Sequence, residues 1–114
     1  MDTTELILLY DYYGALLTDR QKECFELRYN QDLSLGEIGQ ELGISRQGVF
    51  DNLNRTEALL KNMEEKTGCV RRDRSCRKAM EKIRVAAQSL LENENQEVVA
   101  LAQRIADAAA AVEE

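Results

Sequence analysis

The chain has 114 residues, enough for one modest core, and its lack of proline, 5% aromatic content and wealth of Leu, Ala, Glu and Arg favour an all-helical fold broken at glycines and caps. No apolar run approaches the roughly 20 residues that span a bilayer, and the start MDTTEL lacks the basic region of a signal peptide, so neither a membrane nor export is expected and the location is taken as cytoplasmic. Cys24, Cys69 and Cys76 match no zinc spacing and the chain has no histidine, so no metal or other cofactor is expected and the cysteines are read as reduced thiols.

In chain order, TTELILLYDYYGALL repeats apolar residues at Leu6, Leu9, Tyr10, Tyr13, Leu16 and Leu17, a helical period. Ile7, Leu8 and Tyr12 extend the apolar surface round the helix, which predicts burial on more than one side. Thr18 and Gln21 form a capping box that opens a second helix, DRQKECFELRY, with Cys24, Phe25 and Leu27 inward; Asn30 to Asp32 end it. Ser34 and Glu37 form another box, with Leu33 stapled onto Ile38, and predict a short helix from Leu35 to about Leu42. Gly43 permits a left-handed turn, and Ser45 caps the next helix while Ile44 staples onto Val49. Helix, glycine turn and helix make a helix-turn-helix.

From Arg46 no breaker occurs before Gly68, which predicts a helix of roughly 21 residues, about 30 Å long. Its seam of Val49, Leu53, Thr56, Leu60 and Met63 has coiled-coil spacing, and one reading makes it a dimer zipper. Beyond a basic linker over 67–74, Ser75 starts a helix with Met80, Ile83, Ala87 and Leu90 on one face. NENQ separates it from a last helix with Val98, Leu101, Ala102, Ile105, Ala109 and Val112 inward. The expected organisation is a single all-helical domain, 1–114, made of a helix-turn-helix part (1–66), the linker and a helical hairpin (75–114), with a homodimer as one option for the hairpin and first helix.

The net charge of −6 is unevenly spread: residues 1–45 carry 9 acids and 3 bases, whereas 67–84 carry 7 bases and 2 acids. Phosphate attraction therefore has one local home, in Arg71, Arg72, Arg74, Arg77 and Lys78 with Lys82 and Arg84. An acidic amino-terminal half disfavours duplex DNA, where Lys and Arg supply most non-specific affinity.

LTDRQKECFELRYNQDLSLGEIGQELGISRQGVFDNLNRTE resembles region 4 of bacterial sigma factors in layout and is more similar to the YlxM family of small bacterial helix-turn-helix proteins. That second resemblance covers nearly the whole chain and rests on YYGALLTDRQ, LSLGEIGQELGISRQGVFDN and NRTE. It implies an accessory or regulatory component of the signal recognition particle pathway, with the particle's GTPase or its RNA as partner. The carboxy-terminal hairpin, rich in alanine, departs most from the family pattern.

The outward positions after the turn are expected to be Arg46, Gln47, Phe50 and Asp51, with Asn54 and Arg55 one turn on. Arg46 and Gln47 suit base edges, but Phe50 offers only contact with a thymine methyl and Asp51 faces phosphates. A carboxylate roughly 6 Å from a phosphate is repelled by about 0.7 to 3 kcal/mol, comparable with one good base contact. A protein surface or an unstacked RNA base suits Phe50 better. The plainer alternative has the first helix covering Phe50, Asp51 paired with Arg55, and the basic stretch merely solvated. Catalysis is not expected: histidine and a glycine-rich phosphate loop are missing, and neither Glu64/Glu65 nor Glu113/Glu114 has a facing partner for proton transfer. Two classes stay open, a non-enzymatic binder of a particle component and a DNA-binding regulator of sigma region 4 type.

Overall fold

Helix caps and glycines set the chain's boundaries. A computed structural model describes residues 2–112; Glu113 and Glu114 lie outside the described residues. The elements are α1 (Thr3–Tyr13), a 3-10 turn (Gly14–Leu16), α2 (Asp19–Phe25) continued by a π turn (Glu26–Asn30), α3 (Leu35–Leu42), α4 (Arg46–Thr67), α5 (Cys69–Leu90) and α6 (Gln96–Val112). The described residues contain no strand, and the fold is all-α with a helix-turn-helix. The chain divides into two compact units, Met1–Val70 and Arg71–Glu114.

In the first unit, Thr18 accepts from the Gln21 N–H at 3.2 Å while Gln21 returns the bond to the Thr18 N–H at 2.9 Å. Ser34 and Glu37 do the same at the start of α3, both at 3.1 Å. These reciprocal bonds satisfy amides that a helix leaves without partners. Gly43 ends α3 with φ 71°, and Ser45 caps α4 by accepting from Gly48 at 2.9 Å. The Arg20 guanidinium donates to the Leu42 carbonyl at 3.3 Å, tying α2 to the carboxyl end of α3.

Two apolar clusters fill this unit. Leu6, Leu9, Tyr13, Leu17, Phe25, Leu60 and Val70 form one. In it Tyr10 stacks on Phe25 with centroids 4.1 Å apart, and Tyr29 approaches from the other side at 4.6 Å. The other is Cys24, Ile38 and Val49, with Leu33, Ile44 and Leu53 packed round them. α4 joins the two clusters, since Val49 enters one and Leu60 the other. A fully buried Val or Leu is worth roughly 1.5 to 3 kcal/mol, so the seam of α4 is spent on packing within its own chain. This corrects the zipper reading: the seam is already covered by α1, α2 and α3.

Two further expectations change. Leu16 is exposed, because the 3-10 turn rotates it off the buried face of α1. The linker over 67–74 is helical from Cys69. Gly68, at φ 62°, makes the whole break, and the next helix restarts at once because Glu64 Oε1 accepts from the Val70 N–H at 3.0 Å and Thr67 Oγ1 from Cys69 at 3.4 Å. The same Glu64 oxygen accepts from the Tyr13 hydroxyl at 2.7 Å, joining α1 to α4.

In the second unit, α5 leads through a five-residue turn to α6, and Asn95 Oδ1 accepts from the Glu97 N–H at 2.9 Å where α6 begins. The buried side chains are Ala87, Ala102, Ala106 and Ala109. Ile83, Leu90, Leu101, Ile105 and Val112, expected inward, are exposed. On α6 the covered stripe is the one with small side chains, whereas on α5 and into the turn the more buried positions are Met80, Arg84, Ala87 and Leu91.

Candidate functional site

The turn between α3 and α4 fixes what α4 presents. Gly39 lies where the Ile44 carbonyl crosses, so close that a Cβ there would sit 2.7 Å from the oxygen. This contact seats the turn and the amino-terminal end of α4 tightly on α3, the left-handed Gly43 reverses the chain, and Val49 pins the inner face of α4. The outer face then carries Arg46, Gln47, Phe50, Asp51, Asn54 and Arg55, all exposed. Phe50 is 46% exposed, so α1 does not cover it. The aromatic ring is presented to solvent as the outward reading required, and the plainer alternative for Phe50 is set aside.

Asp51 is also exposed, but its carboxylate accepts from Gln47 Nε2 at 3.0 Å. Among the described residues no ion pair joins it to Arg55. The bond has a chemical consequence: it engages the amide that would donate to an adenine edge and leaves the acid facing outward. Arg46 and Asn54 remain as polar groups beside the ring.

A shallow groove borders this face, lined by Thr18, Gln21, Gly48, Asp51, Asn52 and Arg55. It continues along α4 past Arg55, Leu59 and Asn62. Thr18, Gln21 and Asn52 were not foreseen as part of the site. The capping box at Thr18 and Gln21 locates the start of α2 in the sequence, but not its approach to α4. Asn52 Oδ1 is buried there with no hydrogen-bond partner among the described residues, an acceptor at the wall of the groove.

The basic residues sit on a different element, in the first half of α5 and in the second unit. At 100° per residue, Arg71, Arg74, Lys78 and Lys82 share one face, Arg77 lies beside it and Arg72 on another. Arg77 pairs with Asp73 at 2.9 Å and Arg84 with Glu81, while Arg74, Lys78 and Lys82 have no ion pair among the described residues. The predicted site residues thus fall into two groups, one on each unit.

Residues 1–102 match the UPF0122 family, described as "Putative helix-turn-helix protein, YlxM / p13 like". The chain belongs to this family. The match ends inside α6, so the last described residues of that helix lie beyond it. UPF0122 proteins similar to the chain include one from Thermoanaerobacter sp. (strain X514), 46% identical over 102 residues, which are 89% of this chain and 87% of the relative. Another, from Caldanaerobacter subterraneus subsp. tengcongensis, is 54% identical over 79 residues, 69% of this chain and 68% of the relative. A third, from Acetivibrio thermocellus, is 58% identical over 66 residues, 58% of this chain and 56% of the relative. Membership of UPF0122 and the all-helical fold suggest a binding protein rather than an enzyme. Among the described residues no group of three or more His, Cys, Asp or Glu side chains is placed to hold a metal, and no helix is long and apolar enough to cross a membrane.

Proposed function

We propose that the chain is a non-enzymatic accessory component of the signal recognition particle pathway, whose α4 face binds a particle component, either the GTPase or its RNA. The observation that carries the reading is the exposed Phe50 ring flanked by Arg46 and Asn54. Aromatic and arginine side chains dominate binding energy at protein surfaces, and an aromatic ring also stacks on an unpaired base. The basic face of α5 supplies phosphate attraction if the ligand is RNA. The YlxM resemblance supports the choice of pathway.

The test is capture of the purified particle GTPase and, separately, of its RNA by the full chain. Phe50→Ala together with Arg46→Ala should abolish capture and leave helicity unchanged; undiminished capture refutes the assignment to this face. Loss of capture on Arg74→Ala with Lys78→Ala only in the RNA arm would identify the nucleic acid as ligand. The helix-turn-helix geometry itself favours a second reading, a DNA-binding regulator of sigma region 4 type. Enrichment of duplexes from a random pool at physiological salt, lost on Arg46→Ala or Gln47→Ala, would replace the first reading with this one.

A further inference from the structure

The second unit leaves one apolar side open, and the spacing of its residues says what shape that side has. On α5 and into the following turn, the more buried positions are Met80, Arg84, Ala87 and Leu91. One residue before each is an exposed stripe, Ala79, Ile83, Ala86 and Leu90. On α6 the covered positions are Ala102, Ala106 and Ala109. One residue before them, and continuing the pattern, is a second exposed stripe of Leu101, Ile105, Ala108 and Val112. Leu101 is 56% exposed and Ile105 45%, far more than a single hairpin needs to leave open. Both stripes follow the spacing of four, three and four residues at which helices interdigitate with a partner.

The two stripes fall on one side. A step back of one residue rotates the surface by about 100° on either helix. The helices of an αα-hairpin run in opposite directions, so viewed from one end the two rotations have opposite sense. They start from faces that look toward each other, and both therefore swing to the same flank. The result is an apolar face two helices wide, half of a four-helix bundle.

Charge selects the occupant. α5 carries seven bases and two acids, whereas the turn and α6 over 91–112 carry four acids, Glu92, Glu94, Glu97 and Asp107, and one base, Arg104. A two-fold pairing that lays α5 of one copy on α6 of the other sets opposite charges against each other twice, whereas α5 on α5 would repel. The chain is thus complementary to itself. At the rim of the α6 stripe, a shallow depression lined by Leu101, Arg104, Ile105, Asp107 and Ala108 holds one charge of each sign, as a self-complementary surface requires. We propose that a second copy of this chain covers the face, so that two hairpins assemble into a four-helix bundle. This is independent of the α4 face and of what binds there.

Equilibrium sedimentation of the full chain tests the proposal. The wild type should reach twice the 13.0 kDa of one copy. Ile105→Glu should weaken the dimer by roughly 100-fold or more, because two carboxylates enter an apolar seam. Helicity should be retained, since the site is exposed in the single chain. Ile105→Ala, which only shortens the side chain, should shift the equilibrium in the same direction. A wild type that stays at one copy up to its solubility limit overturns the proposal, as does a dimer that Ile105→Glu and Ile83→Glu leave intact. A single copy that instead takes up a different protein or a lipid vesicle on these stripes also overturns it.

Discussion

Two glycines on the same short helix should respond in opposite directions to the same chemical change. In α3, Gly36 has only Ser34 Oγ near the site of an added Cβ, at 4.0 Å, whereas at Gly39 the Cβ would stand 2.7 Å from the Ile44 carbonyl oxygen and 3.5 Å from the Arg46 nitrogen. Alanine is favoured over glycine by about 0.8 to 1.0 kcal/mol inside a helix, and this gain applies at both positions, somewhat reduced near the amino-terminus. At Gly39 it is opposed by overpacking of about 1 to 3 kcal/mol, because the neighbour is backbone and cannot rotate away. Gly36→Ala should therefore stabilise by less than about 1 kcal/mol, while Gly39→Ala should destabilise by up to about 2 kcal/mol. For a unit of this size each kcal/mol moves the melting midpoint by roughly 4 to 8 °C, so thermal denaturation separates the variants readily. Partner capture adds a second readout, because Gly39→Ala pushes on the turn that aims Phe50. A Gly39→Ala chain as stable as Gly36→Ala would refute the claim that this crossing positions α4.

Other expectations follow from individual side chains. Thr56 is fully buried and its Oγ1 has no hydrogen-bond partner among the described residues, so Thr56→Val should raise stability by about 1 kcal/mol in a urea titration; a loss would mean that the hydroxyl has work to do. Tyr10 is pushed up to about 12, chiefly by burial and then by its hydrogen bond to Glu26, and burial raises Tyr13 and Tyr29 as well. The fold favours the neutral phenols, so their contribution is complete below the ordinary value of 10.0 and is lost as pH climbs toward about 12. Helicity followed through that window should fall, and Tyr10→Phe should move the fall to higher pH; an unchanged profile would assign the loss to other groups. Among the thiols, exposed Cys76 should react first with Ellman reagent and half-buried Cys69 more slowly. Cys24, buried and with its thiol pushed up by that burial, should react only on unfolding, and equal rates for Cys24 and Cys76 would contradict this packing.

Local signals were legible in the sequence, and those that depend on distant neighbours were not. Both capping boxes, the left-handed Gly43 and the span of α4 to Gly68 are decided within a few residues and form as read. The outward Phe50 was legible because Val49 and Leu53 fix the inner face of α4. Gly39 gave no sign, since its need for a hydrogen in place of a side chain comes from a carbonyl beyond the turn. The early restart of the chain at Cys69 was hidden for a similar reason: the acceptor for the Val70 amide is Glu64, on the preceding helix. In α6 the helical period admits two apolar stripes, and periodicity alone cannot choose between Leu101 with Ile105 and Ala102 with Ala106. The fold buries the alanines and leaves Leu101 and Ile105 exposed. The groove beside Arg55 needed the packing of α2 on α4.

The ring stack in the first unit has a practical consequence for optical work. Tyr10, Tyr12, Tyr13 and Tyr29 are all the tyrosines, and the chain has no tryptophan. Ultraviolet emission therefore reports on residues 2–70 alone, while the second unit is spectrally silent except through its backbone. If tyrosine emission and peptide absorption change at different temperatures, the two halves melt separately, and no label need be attached to learn it.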